Sequence, residues 1–179
     1  GGVDEADLLK TDGQRMYLLI ADASDRSRLN TLRVERRQAD GSLTPDGSLS
    51  LTGTDRMEGL HVSPEGERVA VLGQTEQWYT IAGVAAPTQG VSATFAPGPM
   101  PPPQTVVELV ASKSGQPLAR THSIRIDGQL LDSRMIGNTL YLVTTWYPRL
   151  DIVPLQGAAT PAERKAAVAR LTTGDLLPK

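Results

Sequence analysis

Along most of the chain, apolar and polar residues alternate in short runs, the period-2 spacing of strands with one buried face. Three stretches repeat one pattern: "LLKTDGQRMYLLIA" around Gly13, "LHVSPEGERVAVLG" around Gly66 and "DSRMIGNTLYLVTT" around Gly137. In each, alternation precedes the glycine and an apolar, β-rich run begins two or three residues after it. Each therefore predicts a strand, a tight turn and a second strand. Asp12-Gly13 supplies the positive φ a hairpin requires, and Ser63-Pro64-Glu65-Gly66 places Pro where φ is already fixed and Gly where it turns positive. Asp40-Gly41, Asp46-Gly47 and Asp127-Gly128 predict further turns by the same chemistry.

The strands group in fours. Ala6–Lys10, Met16–Ala21, Asn30–Gln38 and Ser48–Thr52 form the first group, and Gly59–Ser63, Arg68–Leu72, Thr105–Ser112 and Leu118–Ile126 the second. Gln129–Met135 and Thr139–Trp146 begin a third. The three hairpin glycines lie 53 and 71 residues apart. The longer interval holds a Pro/Gly-rich insertion at about residues 84–103, and without it the period is about 50 residues, the length of one four-stranded propeller blade. The expected fold is all-β: a partial β-propeller of about two and a half antiparallel blades over residues 1–147. Residues 148–179 are expected to be a loop and a connecting helix. Thr160-Pro161-Ala162-Glu163 reads as a capping box with Pro in the first turn, opening a helix from Pro161 to about Leu171 that ends near Gly174. Because propellers close with about 4–8 blades, further blades or other copies of the chain are expected to complete the ring.

Composition narrows the partners. The 18 Lys+Arg against 20 Asp+Glu give a net charge of −2, without the basic excess of a nucleic-acid binder. No apolar run is long enough to span a membrane. The absence of Cys excludes disulfides and thiolate metal sites. Asp4, Glu5 and Asp7 are the wrong flank for a signal peptide, so the leader of an exported parent is expected to lie outside this sequence.

Two segments carry a resemblance. "GVDEADLLKTDGQRMYLL" from Gly2 and "LLDSRMIGNTLYLVT" from Leu130 resemble, in the same order, segments of a bacterial and archaeal family of secreted proteins with a C-terminal β-propeller domain, distantly similar to WD-repeats. Asp4, Glu5, Asp7, Lys10 and Asp12 match the opening motif, and Asp132, Ser133, Arg134, Gly137 and Tyr141 the later one. The resemblance covers most of Gly2 to Tyr147. The Pro-rich insertion and the turn "SDRSRLN" depart from it. It implies a propeller that is extracellular, periplasmic or anchored in the cell envelope, with no established reaction to carry over.

The candidate sites are few. Asp4, Glu5 and Asp7 offer oxygen ligands of the kind Ca²⁺ takes, although their spacing matches no known calcium loop; the plainer reading is a strand entry whose acids pair with basic residues. No other cofactor is suggested. Asp132 and Arg134 fall on a strand expected to be innermost, where they either meet a ligand in the central channel or fix blade register as an ion pair. Trp78 and Tyr79, with Trp146 and Tyr147 at the corresponding place after the third hairpin, suggest an aromatic rim for peptide or glycan, or packing between blades. The prolines around Pro99–Pro103 form either a polyproline ligand or a connector. His61 and His122 lack spaced partners and read as ordinary hydrogen-bonded residues, and no nucleophile elbow, Ser-x-x-Lys or phosphate loop is present. The expected function is non-catalytic, an interaction scaffold for protein, peptide or glycan. The alternative is a propeller-type hydrolase with a carboxylate-lined, Ca²⁺-dependent channel.

Overall fold

The computed structural model describes residues 4–22, 25–52, 54–75, 103–147, 160–175 and 177. The chain divides into two compact units, Gly1–Glu76 with Pro103–Trp146, and Gln77–Pro102 with Tyr147–Lys179. In the second, Thr160 caps helix α1 (Pro161–Val168): its hydroxyl accepts from the Glu163 amide, and the Glu163 carboxylate accepts from the Thr160 amide. The expected capping box is thus present. The helix ends three residues earlier than the sequence suggested, and a 3₁₀ turn follows at Thr173–Asp175.

The first unit consists of three antiparallel sheets. Blade 1 has the strand order β2 (Leu9–Thr11), β3 (Arg15–Asp22), β4 (Asp25–Arg37), β5 (Leu43–Ser50). Blade 2 has β6 (Arg56–Val62), β7 (Arg68–Gln74), β8 (Gln104–Ala111), β9 (Ala119–Asp127). Blade 3 contains β10 (Gln129–Ile136) and β11 (Thr139–Thr145), with the two-residue strand β1 (Asp4–Glu5) on the inner side of β10.

All three hairpin glycines have positive φ, Gly13 at 92°, Gly66 at 70° and Gly137 at 60°, as the turn chemistry demands. In the first turn Asp12 Oδ1 accepts from the amides of Gln14 (2.9 Å) and Arg15 (2.7 Å), which explains why Asp precedes this glycine. Asp46-Gly47, expected to turn, instead lies inside β5. There the register with β4 shifts between Val34 and Glu35, and Gly47 is absent from the positive-φ glycines. The extra residue is absorbed as a bulge, and the glycine lets Leu118 of blade 2 approach: a Cβ at Gly47 would sit 3.1 Å from Leu118 Cγ.

The core lies between the blades. Tyr17, Leu19, Leu32 and Val34 of blade 1 pack with Leu60, Val69, Val71 and Val110 of blade 2. The other face of blade 2 presents Ala70, Leu72 and Val107 to Leu130, Leu140 and Leu142 of blade 3. Strand alternation accounts for this division, because successive residues of β7 serve opposite interfaces.

Candidate functional site

The N-terminal segment crosses the inner edges of all three sheets. β1 pairs with β10 (Asp4 opposite Met135, Glu5 opposite Arg134), Asp7 bridges to Leu60 on β6, and Leu9–Thr11 become the inner strand of blade 1. The single strand expected over Ala6–Lys10 is therefore split between two sheets, Asp7 bridging to blade 2 and Leu9 with Lys10 entering blade 1. Asp132 and Arg134 stand one strand further from the inner edge than expected, since β1 lies inside β10. Gly59 permits the crossing: a Cβ there would lie 2.9 Å from Ala6 Cβ and 3.1 Å from the Asp7 amide.

Polar side chains tie the segment in place. His61, fully buried on β6, has Nδ1 3.3 Å from Asp4 Oδ2 and Nε2 3.0 Å from Ser133 Oγ on β10. A neutral imidazole satisfies both contacts by donating from Nδ1 to the carboxylate and accepting from the serine hydroxyl. Lys10 Nζ donates to Asp4 Oδ1 (2.6 Å) and to the Glu5 carbonyl. Burial holds His61 below its ordinary pKa, opposed by the hydrogen bond and charge of Asp4 and reinforced by the Lys10 charge. Burial pushes Asp4 upward, but the hydrogen bonds from Lys10 and His61 outweigh it and leave the carboxyl below its usual range.

The three acids considered as calcium ligands are thus held separately. Asp4 faces Lys10 and His61, Glu5 pairs with Arg134 (Oε1–Nη1 3.0 Å), and Asp7 Oδ1 accepts from the Leu8 amide (2.7 Å). Among the described residues, no three His, Cys, Asp or Glu side chains come together as a metal cluster. Arg134 also meets Asp132 (3.4 Å), so both later-motif residues belong to one exposed ion-pair chain with Glu5. Tyr147 is 77% exposed and Trp146 is half-buried, while Trp78, Tyr79 and nearly all of the Pro-rich insertion lie outside the described residues.

A second polar cluster joins blades 1 and 2, and it was not anticipated. The Gly66 carbonyl accepts from Arg15 Nη2 (2.6 Å) and Ser112 Oγ (2.6 Å), and 2.9 Å away lies the Tyr17 hydroxyl, which donates its one proton to Asp12 Oδ2 (2.7 Å). Arg15 also donates to the Ser112 carbonyl, meets Asp12 Oδ2 at 3.3 Å and lies 5.3 Å from the Tyr17 ring centroid. Burial, with the Asp12 contact, pushes the Tyr17 hydroxyl pKa up strongly against the opposing charge of Arg15. No spacing rule links Arg15 to Gly66; the sequence signal available was an Arg and a Tyr placed two and four residues after the first hairpin glycine. Glu108, buried on the blade 2 face toward blade 1, accepts from Ser123 Oγ (2.9 Å) and pairs with Arg120 (3.5 Å), while its Oε2 has no hydrogen-bond partner.

Outside this cluster, an open polar cleft of about 330 Å³ lies where the turn ends of blades 1 and 2 meet. Gln14, Glu65, Glu67 and Lys113 line it beside Arg15 and Arg36. Arg15 and Arg36 are committed, the latter to Asp46 (2.7 Å) and Ser114 Oγ. Glu65, Glu67 and Lys113 are exposed and, among the described residues, make no ion pair. The cleft thus offers unpaired charges of both signs, and composition alone could not place it.

Among the described residues no helix is long and apolar enough to cross a membrane. Searches of curated proteins and of solved structures found no match. The model of one family, described as a beta propeller domain, matches residues 1–179. Three antiparallel sheets packed face to face, each opening on the same hairpin, agree with that match, and the chain belongs to the beta propeller domain family.

Proposed function

We propose that the chain is part of a non-catalytic, secreted or cell-envelope β-propeller that acts as an interaction scaffold, binding a peptide or protein loop across the turn ends of blades 1 and 2. The observation that carries this reading is the division of charged groups. Those at the inner edges hold the N-terminal segment, whereas Glu65, Glu67 and Lys113 around the cleft are uncommitted. Unpaired charges of both signs on an open polar surface suit a polar chain carrying both charges, and they disfavour a uniformly charged polymer. A location outside the cytoplasm is supported by the two motif segments that resemble secreted propellers. The test is titration of the ¹⁵N-labelled chain with a panel of zwitterionic ten-residue peptides and with neutral oligosaccharides. Peptide-induced shifts at Gln14, Glu65, Glu67 and Lys113, abolished by Lys113→Glu with Glu67→Lys, are expected. Oligosaccharide shifts confined to Trp146 and Tyr147, with none from the peptides, would overturn the assignment.

One observation favours a second reading, hydrolysis. Asp4, His61 and Ser133 line up as carboxylate, imidazole and hydroxyl, the order in which a serine nucleophile is activated. Against it, Ser133 is only 4% exposed and its amide already donates to Asp132 Oδ1 (2.8 Å). Labelling of the intact chain by a fluorophosphonate probe, lost in Ser133→Ala, would establish this reading in place of the first.

A further inference from the structure

The cleft at the turn ends of blades 1 and 2 is bounded by two four-stranded sheets, and its lining groups divide by kind. The β6–β7 turn contributes the carboxylates Glu65 and Glu67. Blade 1 and the β8–β9 turn contribute donors: Gln14, Arg36, Lys113 and Ser114. The Gln14 carbonyl accepts from the Arg37 amide (2.8 Å), which keeps the β2–β3 turn beside Arg36.

Arg36 is the fixed point among these donors. Its Nε (3.1 Å) and Nη2 (2.7 Å) both donate to Asp46 Oδ1, and Nη2 donates its second hydrogen to Ser114 Oγ (2.5 Å). The planar guanidinium is thus held in place, while Nη1 keeps two hydrogens that no group among the described residues accepts. Ser114 is exposed, and because its oxygen accepts from Arg36 its own proton is left to donate. Arg36 Nη1 and Ser114 Oγ are therefore two donors side by side, set before any ligand arrives. Asp46 offsets the Arg36 charge, so an unneutralised positive charge comes instead from exposed Lys113, the chain neighbour of Ser114.

We infer that Arg36 Nη1, Ser114 Oγ and Lys113 hold a carboxylate of the bound peptide, and that Glu65 and Glu67 hold its cation. The inference rests on the peptide-binding reading above and names what that peptide must carry. Two adjacent donors and one free positive charge match the two oxygens and single charge of a carboxylate, from an Asp or Glu side chain or from a chain end. Asp46, Glu65 and Glu67 close by disfavour a doubly charged phosphate, since like charges brought together are costly. Arg36 sets the specificity, because a lysine there would spend its point charge on Asp46 and could not also present a fixed second donor to the ligand.

The test is NMR titration of the ¹⁵N-labelled chain with four acetylated ten-residue Gly/Ser peptides, up to about 10 mM so that millimolar affinities register. The first is amidated and carries one Glu and one Lys. In the second Gln replaces the Glu, the third is the second with a free C-terminal carboxylate, and the fourth is the first with Met in place of the Lys. The second and fourth should bind at least about 10-fold more weakly than the first, as loss of a charge-assisted contact requires, and the Arg36 side-chain signals should move with the first but not the second. Affinity regained by the third peptide places a chain end at Arg36; affinity not regained places a side chain there. Arg36→Lys and Ser114→Ala should each cut the ratio between the first two peptides to about threefold or less, a coupling that loss of structure alone does not produce. Ser114 is exposed, and an unchanged melting temperature verifies that both variants fold. Equal binding of the first two peptides, or a ratio that survives both substitutions, would overturn the carboxylate assignment and leave peptide binding standing; equal binding of the first and fourth would overturn the cation assignment. If no peptide shifts Gln14, Glu65, Glu67 or Lys113, the inference and the reading beneath it both fall.

Discussion

Replacing Arg15 by methionine tests whether the polar cluster between blades 1 and 2 holds them in register. The guanidinium is buried and donates to the Gly66 and Ser112 carbonyls while facing Asp12 Oδ2. Methionine keeps much of the packing against Tyr17 and removes every donor. The Gly66 carbonyl retains Ser112 Oγ, so it is not orphaned. Asp12 retains the Tyr17 hydroxyl (2.7 Å) and two backbone amides. The Ser112 carbonyl loses its side-chain donor, worth about 1–3 kcal/mol when buried, and the Asp12 charge loses its nearest cation. A cost of about 3 kcal/mol follows, at the lower end of that for breaking a buried pair. This equals a shift of about 100-fold in the folding constant and a melting temperature lower by about 6–12 °C. Urea denaturation followed by tryptophan fluorescence measures it, with Arg15→Lys expected between the two because an ammonium cannot reach both carbonyls at once. A loss below about 1 kcal/mol, the size of a surface ion pair, would refute the claim that this cluster joins the blades.

Three further outcomes follow from the same geometry. Gly66→Ala places a Cβ against the Asp12 carboxylate, 2.8 Å from Arg15 Nη2 and 2.9 Å from the Tyr17 hydroxyl at φ 70°, whereas Gly115→Ala meets nothing at φ 75°. Denaturation should show a loss of about 1 kcal/mol at Gly115, from backbone strain alone, and at least about twice that at Gly66. Glu108→Gln should change stability by less than about 1 kcal/mol, since Oε2 already lacks a partner, while Arg120→Met, which strips the buried carboxylate of its cation, should cost about 2 kcal/mol. Stability should also fall with acid in two stages. His61 is held below its ordinary 6.5, so the unfolded chain takes up this proton first and stability declines as pH drops from about 6.5 through the folded value. Asp4 is held below 3.8, so its contribution is complete above that pH and disappears as pH falls through its folded value. His61→Gln should abolish the upper stage and also weaken the lower one, since His61 is one of the two contacts that hold Asp4 down, and a wild-type chain that gains stability between pH 7 and 5 would show that the Asp4 contact outweighs burial.

What was legible in the sequence is what depends on near neighbours. Gly13, Gly66 and Gly137 mark their turns because the positive φ belongs to the turn itself, and Thr160 with Glu163 marks its helix because the two side chains satisfy each other's amides. The same local chemistry misread Asp46-Gly47: an Asp-Gly pair is as compatible with a bulge as with a turn, and pairing with β4 decides between them. The contacts of His61 were out of reach for a different reason. Its partners Asp4 and Ser133 lie 57 and 72 residues away, on strands brought beside β6 only by the crossing of the N-terminal segment. Glu5 and Arg134 were each singled out, for a metal and for the channel, yet not as a pair, because the expected single strand Ala6–Lys10 concealed that crossing.

The second strands β3, β7 and β11 show how burial on both faces reads in a sequence. A strand buried on one face alternates, whereas one covered on both faces is apolar throughout. β7 meets the second condition in its Val69–Leu72 run, and blades lie on both its sides. Met16–Ile20 in β3 and Leu140–Val143 in β11 are equally continuous, although Tyr141 and Val143 are exposed and Met16 and Leu18 only half-buried. Tyr141 and Val143 alone would pass as ordinary surface apolar residues. With Leu131 also exposed, and in the positions of Tyr17 and Leu19 counted from the hairpin glycine, they match the face that blade 1 buries against blade 2. The apolar character of both strands is thus what a blade packed on both sides requires.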